Sequence, residues 1–260
     1  QLYQHWLGCD QADDASDCLN ALQRVNYNCP DWLIVDHYGL DICWETKLLS
    51  GLAHSSLTPK VFVIDDLADR PHQADILLDQ NFFGDLTESR YLSLVPEYCH
   101  QLLGPKFALL SPEYALLHHS VPPRTELRRV LIFFGGVDPE NLSSIALDVL
   151  SDTSLSHLCV DLVLGMHSPH RCEIEHLIKL RPHTTLHSSL PSLAGLISRA
   201  DISIGAVGAT TWERSCLGLP SIGIPCADNQ LHVSRALAEQ NLIQIVAHDS
   251  KCIGEQLLQS

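Results

Sequence analysis

Basic side chains are scarce in this sequence. Lys and Arg total 16 against 31 Asp and Glu, a formal net charge of -15 with His neutral. Such a chain repels phosphate backbones at long range, so nucleic acid is excluded as an expected partner. It also offers no polybasic stretch to an anionic membrane surface. Long apolar runs are missing too. None approaches the roughly 20 residues that span a bilayer, and no signal peptide is legible. The ten cysteines, at 9, 18, 29, 43, 99, 159, 172, 216, 226 and 252, contain no C-x-x-C and no cluster with zinc-ligand spacing. Several sit in apolar contexts such as Leu158-Cys159-Val160 and Pro225-Cys226-Ala227, which reads as reduced core thiols. The fifteen histidines are dispersed. His118-His119 and the His167/His170 pair lack the Cys, Asp or Glu neighbours that would complete a metal site. The expectation is a cytoplasmic protein without metal or cofactor, and without nucleic-acid or membrane partners. The first residue is Gln rather than Met, so a piece of a longer chain is expected.

Apolar residues are abundant. At 45% of 260 residues they suffice for one large domain or two ordinary ones. Short, continuous runs rich in Ile, Val, Leu and Phe predict strands over 32–35, 61–64, 76–78, 129–134, 159–164, 184–186, 201–204 and 221–224. Continuity rather than alternation suits a parallel sheet buried on both faces. Helical patterns lie between them, over 15–23, 41–50, 142–150, 171–180, 190–198, 211–217 and 229–239. This alternation predicts an α/β fold of two Rossmann-like, doubly wound domains. The polar, proline-containing stretch 118–125 marks a boundary, giving domains over 1–117 and 126–260. The first is too short for a complete doubly wound sheet. Two such domains place a ligand in the crevice at the carboxyl ends of their strands.

Three loops of the later half follow strands and carry ligand-binding chemistry. In the first, a buried strand runs into Gly135-Gly136-Val137-Asp138-Pro139. Glycines allow close backbone approach, and Asp138-Pro139 reads as an N-cap with proline at the first helical position. The free N–H groups of a helix start suit a pyrophosphate, although an ordinary strand-to-helix turn fits equally well. The second runs from Gly205 through Gly208, Thr210 and Thr211 to Glu213. Two threonine hydroxyls sit at the helix start, and a carboxylate one turn on can accept from a ribose cis-diol or simply cap the helix. The third, Asp228-Asn229-Gln230, offers amides for sugar hydroxyls or phosphate, with plain N-capping as the alternative. In the early half, Asp36-His37-Tyr38-Gly39-Leu40-Asp41 follows a strand. It offers a titratable His37, a stacking Tyr38 and an N-cap at Asp41. Asp65-Asp66 could hold a metal, but Arg70 nearby makes a structural ion pair at least as plausible.

These runs, with Leu78-Asp79-Gln80-Asn81 and the stretch from Gly104 to Tyr114, resemble one family. It is the UDP-2,4-diacetamido-2,4,6-trideoxy-β-L-altropyranose hydrolase of pseudaminic acid biosynthesis, related to MurG-type glycosyltransferases of the GT-B fold. The similarity covers the chain from Trp6 to at least Asn241. It implies metal-free, inverting hydrolysis of a UDP-sugar substrate. By position, Glu213 would hold the ribose. Gly135, Gly136, Gly208, Thr210 and Thr211 would line the diphosphate, with Asn229 and Gln230 at its border. Tyr38 matches a sugar-side tyrosine, and His37 is its neighbour. The family opens with Gly-x-Gly-His, whose histidine is its expected general base. No such motif occurs here, so little hydrolysis is expected from this chain alone. A GT-B transferase and a non-catalytic nucleotide-sugar-binding fragment are the alternatives.

Overall fold

The computed structural model describes residues 3–25, 30–53, 58–188 and 190–247. Its contacts divide into two compact units, Gln1–Leu109 and Leu110–Ser260. In the first, α1 (Gln11–Arg24) and α2 (Ile42–Leu52) accompany β1 (Trp32–Val35), β2 (Lys60–Ile64), β3 (Ile76–Asp79) and β4 (His100–Leu103). The four strands are parallel, in the order β1-β2-β3-β4. Helix starts are set by carboxylates: Asp10 accepts from the Ala12 amide and Asp41 from that of Cys43. The helices pack closely, since a Cβ on Gly51 would lie 2.2 Å from Leu19 Cδ1. Strand β1 departs from the expectation of burial on both faces. Ile34 is 67% exposed, while Val35 is buried.

The second unit holds α3 (Pro112–His118), β5 (Arg129–Phe133), α4 (Leu142–Leu150), β6 (Cys159–Val163), α5 (Arg171–Leu180) and β7 (Thr184–His187). It continues with α6 (Ala194–Arg199), β8 (Ile202–Ala206), α7 (Thr210–Cys216), β9 (Ser221–Ile224), α8 (Asp228–Glu239) and β10 (Gln244–Ile245). All six strands are parallel, in the order β10-β9-β8-β5-β6-β7. Both faces are buried, as the unbroken apolar runs require. Val130 and Ile132 join Leu147 of α4 and Ile174 of α5 on one side. Leu131 and Phe133 meet Tyr114, Ile197 and Leu217 on the other. Strand order reverses between β5 and β8, which makes the loops leaving them neighbours at a topological switch point.

The division falls eight residues before the end assigned to the first domain. Segment 110–117 packs with the second unit because Tyr114 of α3 is buried in its core and Leu110 and Leu117 pack, partly buried, against it. Nor is 118–125 a free linker. The Arg124 guanidinium donates to the carbonyls of Ile197, Ala200, Leu217 and Gly218, closing the ends of α6 and α7.

Candidate functional site

The loop after β5 turns at Gly135, whose φ of +91° is the left-handed conformation that glycine tolerates. Next to it, the Gly136 carbonyl accepts from the Gly165 amide at 2.8 Å. A Cβ on Gly165 would stand 2.2 Å from that carbonyl oxygen, so the loops after β5 and β6 touch backbone to backbone. Asp138 is not the N-cap expected of it. Helix α4 begins at Leu142, and Asn141 occupies its cap in a left-handed conformation. Asp138 reaches forward instead, 2% exposed, and accepts from the amides of Leu142 and Ser143 at 3.0 Å each. The first amides of α4 are therefore already filled by a carboxylate of the chain itself.

The loop after β8 is packed closely below and open above. A Cβ on Gly205 would meet Phe133 O at 2.3 Å, which holds β8 against β5. Among the described residues the amides of Gly208, Ala209 and Thr210 donate no backbone hydrogen bond, while that of Thr211 donates to Gly208 O. Thr210 and Thr211 separate in role. Thr210 faces a cavity, whereas the buried Thr211 hydroxyl accepts from Arg214 at 3.0 Å. The Thr211 oxygen is thus engaged by Arg214 from below.

The cavity measures about 330 Å³ at the carboxyl ends of β5 and β6. Its walls come from Phe133, Gly136, residues 163–165, residues 190–193, Thr210 and Glu213. Glu213 lies in the first turn of α7, whose cap residue is Ala209. Neither Glu213 Oε2 nor the Tyr114 hydroxyl meets hydrogen-bond geometry with a partner among the described residues, although the two groups lie close enough to act on each other. Burial pushes the Glu213 carboxyl up, against the opposing pull of Tyr114 and Arg214. Burial likewise raises the Tyr114 phenol, which lies beside Ser192 and Glu213. Buried polar atoms left open at a cavity wall are suited to a ligand's hydroxyl groups. The segment 190–193 escaped the sequence reading because it was absorbed into a predicted helix that starts only at Ala194.

Gln230 is tied to the loop before its helix. Its Oε1 accepts from the Cys226 amide at 2.8 Å, and its Nε2 faces the Gly208 turn, 3.6 Å from the position of a Cβ there. Asn229 is half-buried at the start of α8, whose cap residue is Ala227.

In the first unit, His37 is partly committed: its Nδ1 accepts from the Gly39 amide at 3.0 Å, leaving Nε2 free of that turn. Tyr38 joins the rings of Tyr3 and Trp6 at 5.1 and 5.8 Å. Burial, and then Asp66, raise its phenol. The Asp65–Arg70 contact is the buried ion pair, at 2.8 Å. Asp65 also accepts from Tyr91 at 2.9 Å. Asp79, of the Leu78-Asp79-Gln80-Asn81 run, is pushed up to about 6 by burial against the lowering pull of Asn81 and Arg90. Among the described residues no group of three or more His, Cys, Asp or Glu is placed to hold a metal ion.

No protein-family model matches the chain. The spore coat polysaccharide biosynthesis protein SpsG of Bacillus subtilis (strain 168) is 26% identical over 140 residues, covering 53% of this chain and 41% of SpsG. The uncharacterized protein MJ1062 of Methanocaldococcus jannaschii is 23% identical over 219 residues, 82% of this chain and 43% of that protein. The chain thus spans less than half the length of these curated relatives. Among solved structures, MurG of Acinetobacter baumannii superposes with a TM-score of 0.57 at 13% identity, covering 96% of this chain and 69% of its own. The S. aureus MnaA–UDP co-structure does so at 0.53 and 9%, covering 96% and 70%. The parallel α/β units are Rossmann-like, and the fold is that of the GT-B glycosyltransferases.

Proposed function

We propose that this chain is the UDP-binding part, with some of the sugar-side part, of an enzyme that hydrolyses a UDP-linked 2,4-diacetamido-2,4,6-trideoxy sugar. The observation that carries the nucleotide half is the open Glu213 carboxylate oxygen, set in a cavity beside two adjoining glycine turns. The uridine ribose lies against Glu213 and Tyr114, its diol supplying the donors and acceptor those atoms lack. The diphosphate follows the exposed amides of Gly208, Ala209 and Thr210 and the Gly135-Gly136 turn, with the Gln230 amide at the border. Asn229 belongs to the same border, and Thr211 supports it from below. A UDP complex of the fold relative MnaA and the polysaccharide role in the name of SpsG favour a sugar-nucleotide ligand.

The reaction follows from the resemblance to the hydrolase family. Water attacks the anomeric carbon from the face opposite the leaving group. The C1–O bond breaks with its electron pair going to UDP, and the water proton passes to a base. Tyr38 and His37 belong to the sugar side. His37 can exchange a proton only through Nε2 while Nδ1 closes its turn. The Gly-x-Gly-His base is not in these residues, so binding outlasts turnover.

Calorimetry with UDP tests the site. Glu213→Ala weakens binding by about 1–3 kcal/mol, the range for hydrogen bonds to a charged group; an unchanged affinity returns Glu213 to a merely structural role. Following UDP release from a UDP-linked diacetamido sugar, with and without a preceding segment that carries Gly-x-Gly-His, tests the chemistry. Release that requires an added acceptor would replace hydrolysis by transfer.

A further inference from the structure

Arg214 is 4% exposed, directly beneath the loop after β8. A buried guanidinium ordinarily meets a carboxylate, because an uncompensated charge is costly to remove from water. Here its hydrogen-bond partners are neutral oxygens. It donates to Ala206 O at 2.7 Å, Thr211 Oγ1 at 3.0 Å, Thr210 O at 3.3 Å and Ser203 Oγ at 3.4 Å. No carboxylate forms an ion pair with it among the described residues; the adjacent Glu213 acts on it only through space. Arg181, equally buried, is likewise held by neutral oxygens, so what sets Arg214 apart is its place under the turn at the switch point of the sheet.

Its donors explain what it does there. Ala206 ends β8, and Thr210 and Thr211 open α7, so one planar fork ties both flanks of the turn over 207–209. Those three residues include the open amides of Gly208 and Ala209. Gly205 leaves room for the fork, with a Cβ there falling 3.1 Å from Arg214 Nη1.

We propose that Arg214 is a positioning residue for a diphosphate: it fixes the turn that carries the open amides and supplies, from behind, the positive charge whose counter-ion is the ligand itself. The inference rests on the nucleotide reading above and deepens it. An acidic protein has few cations to spare for an anionic ligand, and a desolvated one acts more strongly than a surface lysine would.

The test compares ligands that differ only in phosphate. Wild-type chain, Arg214→Gln and Arg214→Lys are titrated with UDP, uridine and inorganic pyrophosphate, with circular dichroism and melting to establish folding. Arg214→Gln is expected to lose about tenfold or more in UDP affinity while uridine binding changes less than about twofold, since only the charged part sees the lost cation. Arg214→Lys keeps the charge without the fork and falls between; if the Gln variant does not fold, this variant alone must still lose more for UDP than for uridine. Equal losses for UDP and uridine, or an unchanged UDP affinity, overturn the proposal. Arg214-dependent binding of pyrophosphate by a wild type that ignores uridine and UDP would sustain it while sinking the nucleotide reading. A wild type indifferent to pyrophosphate and UDP alike would overturn both.

Discussion

Asp79 reached the acidic group of the first unit through strand register, not through sequence proximity. Ile64 pairs with Leu78 across β2 and β3, so Asp65 and Asp79 leave adjacent strand ends together. Tyr91 donates to both, at 2.9 and 3.3 Å. Adjacent letters made Asp65-Asp66 conspicuous as a pair, whereas nothing local tied Asp79 to them. Its elevated pKa has a stability consequence of definite sign. The carboxyl titrates at 3.8 when unperturbed and at about 6 here. Between those values the folded chain keeps a proton that the unfolded chain has released. This residue therefore contributes stability below about pH 4 that is lost as pH rises toward 6, on the order of 3 kcal/mol at most. Asp79→Asn removes that titration. Urea unfolding of both proteins from pH 4 to 7 should show the variant gaining relative to wild type up to about pH 6 and then levelling. A difference constant across that range contradicts the assignment.

At the scale of elements, every predicted strand exists, because unbroken Ile, Val and Leu runs bounded by turn residues are a strong signal for a doubly covered parallel sheet. Two strands went unseen for opposite reasons. β4 opens on His100 and Gln101, which look like loop, and β10 is only Gln244–Ile245. Helix α3 was not among the predicted helices; it is seven residues long and opens with proline at its first positions. The glycine turns at 135–136 and 205–208 were legible from composition. Their adjacency was not, since it depends on β5 lying beside β8. Gly165 illustrates the gap. It has no side chain to signal a role, and is required because the Gly136 carbonyl occupies the space of one. Gly165→Ala forces the two loops apart. It is expected to lower stability by about 2 kcal/mol in denaturant titration and to weaken UDP binding as well. Full UDP affinity with unchanged stability would show the contact to be dispensable.

For the molecule as a whole, the position of the boundary has practical force. Tyr114, Leu110 and Leu117 belong to the second core, and Arg124 stitches four carbonyls of α6 and α7. A polypeptide of residues 110–260 should therefore fold. One of residues 126–260 loses a large buried aromatic and that guanidinium, and should be less stable by more than about 3 kcal/mol, measured by thermal or urea unfolding. Equal stability would return the division to the position read from proline and polarity. A quieter consequence attaches to Asp138. In doubly wound sheets the helix after the first strand commonly receives the pyrophosphate of a coenzyme. Here that berth is taken by an aspartate held on two amides. A phosphate drawn to this end of the sheet would therefore have to use amides other than the first ones of α4, such as those of the turn after β8.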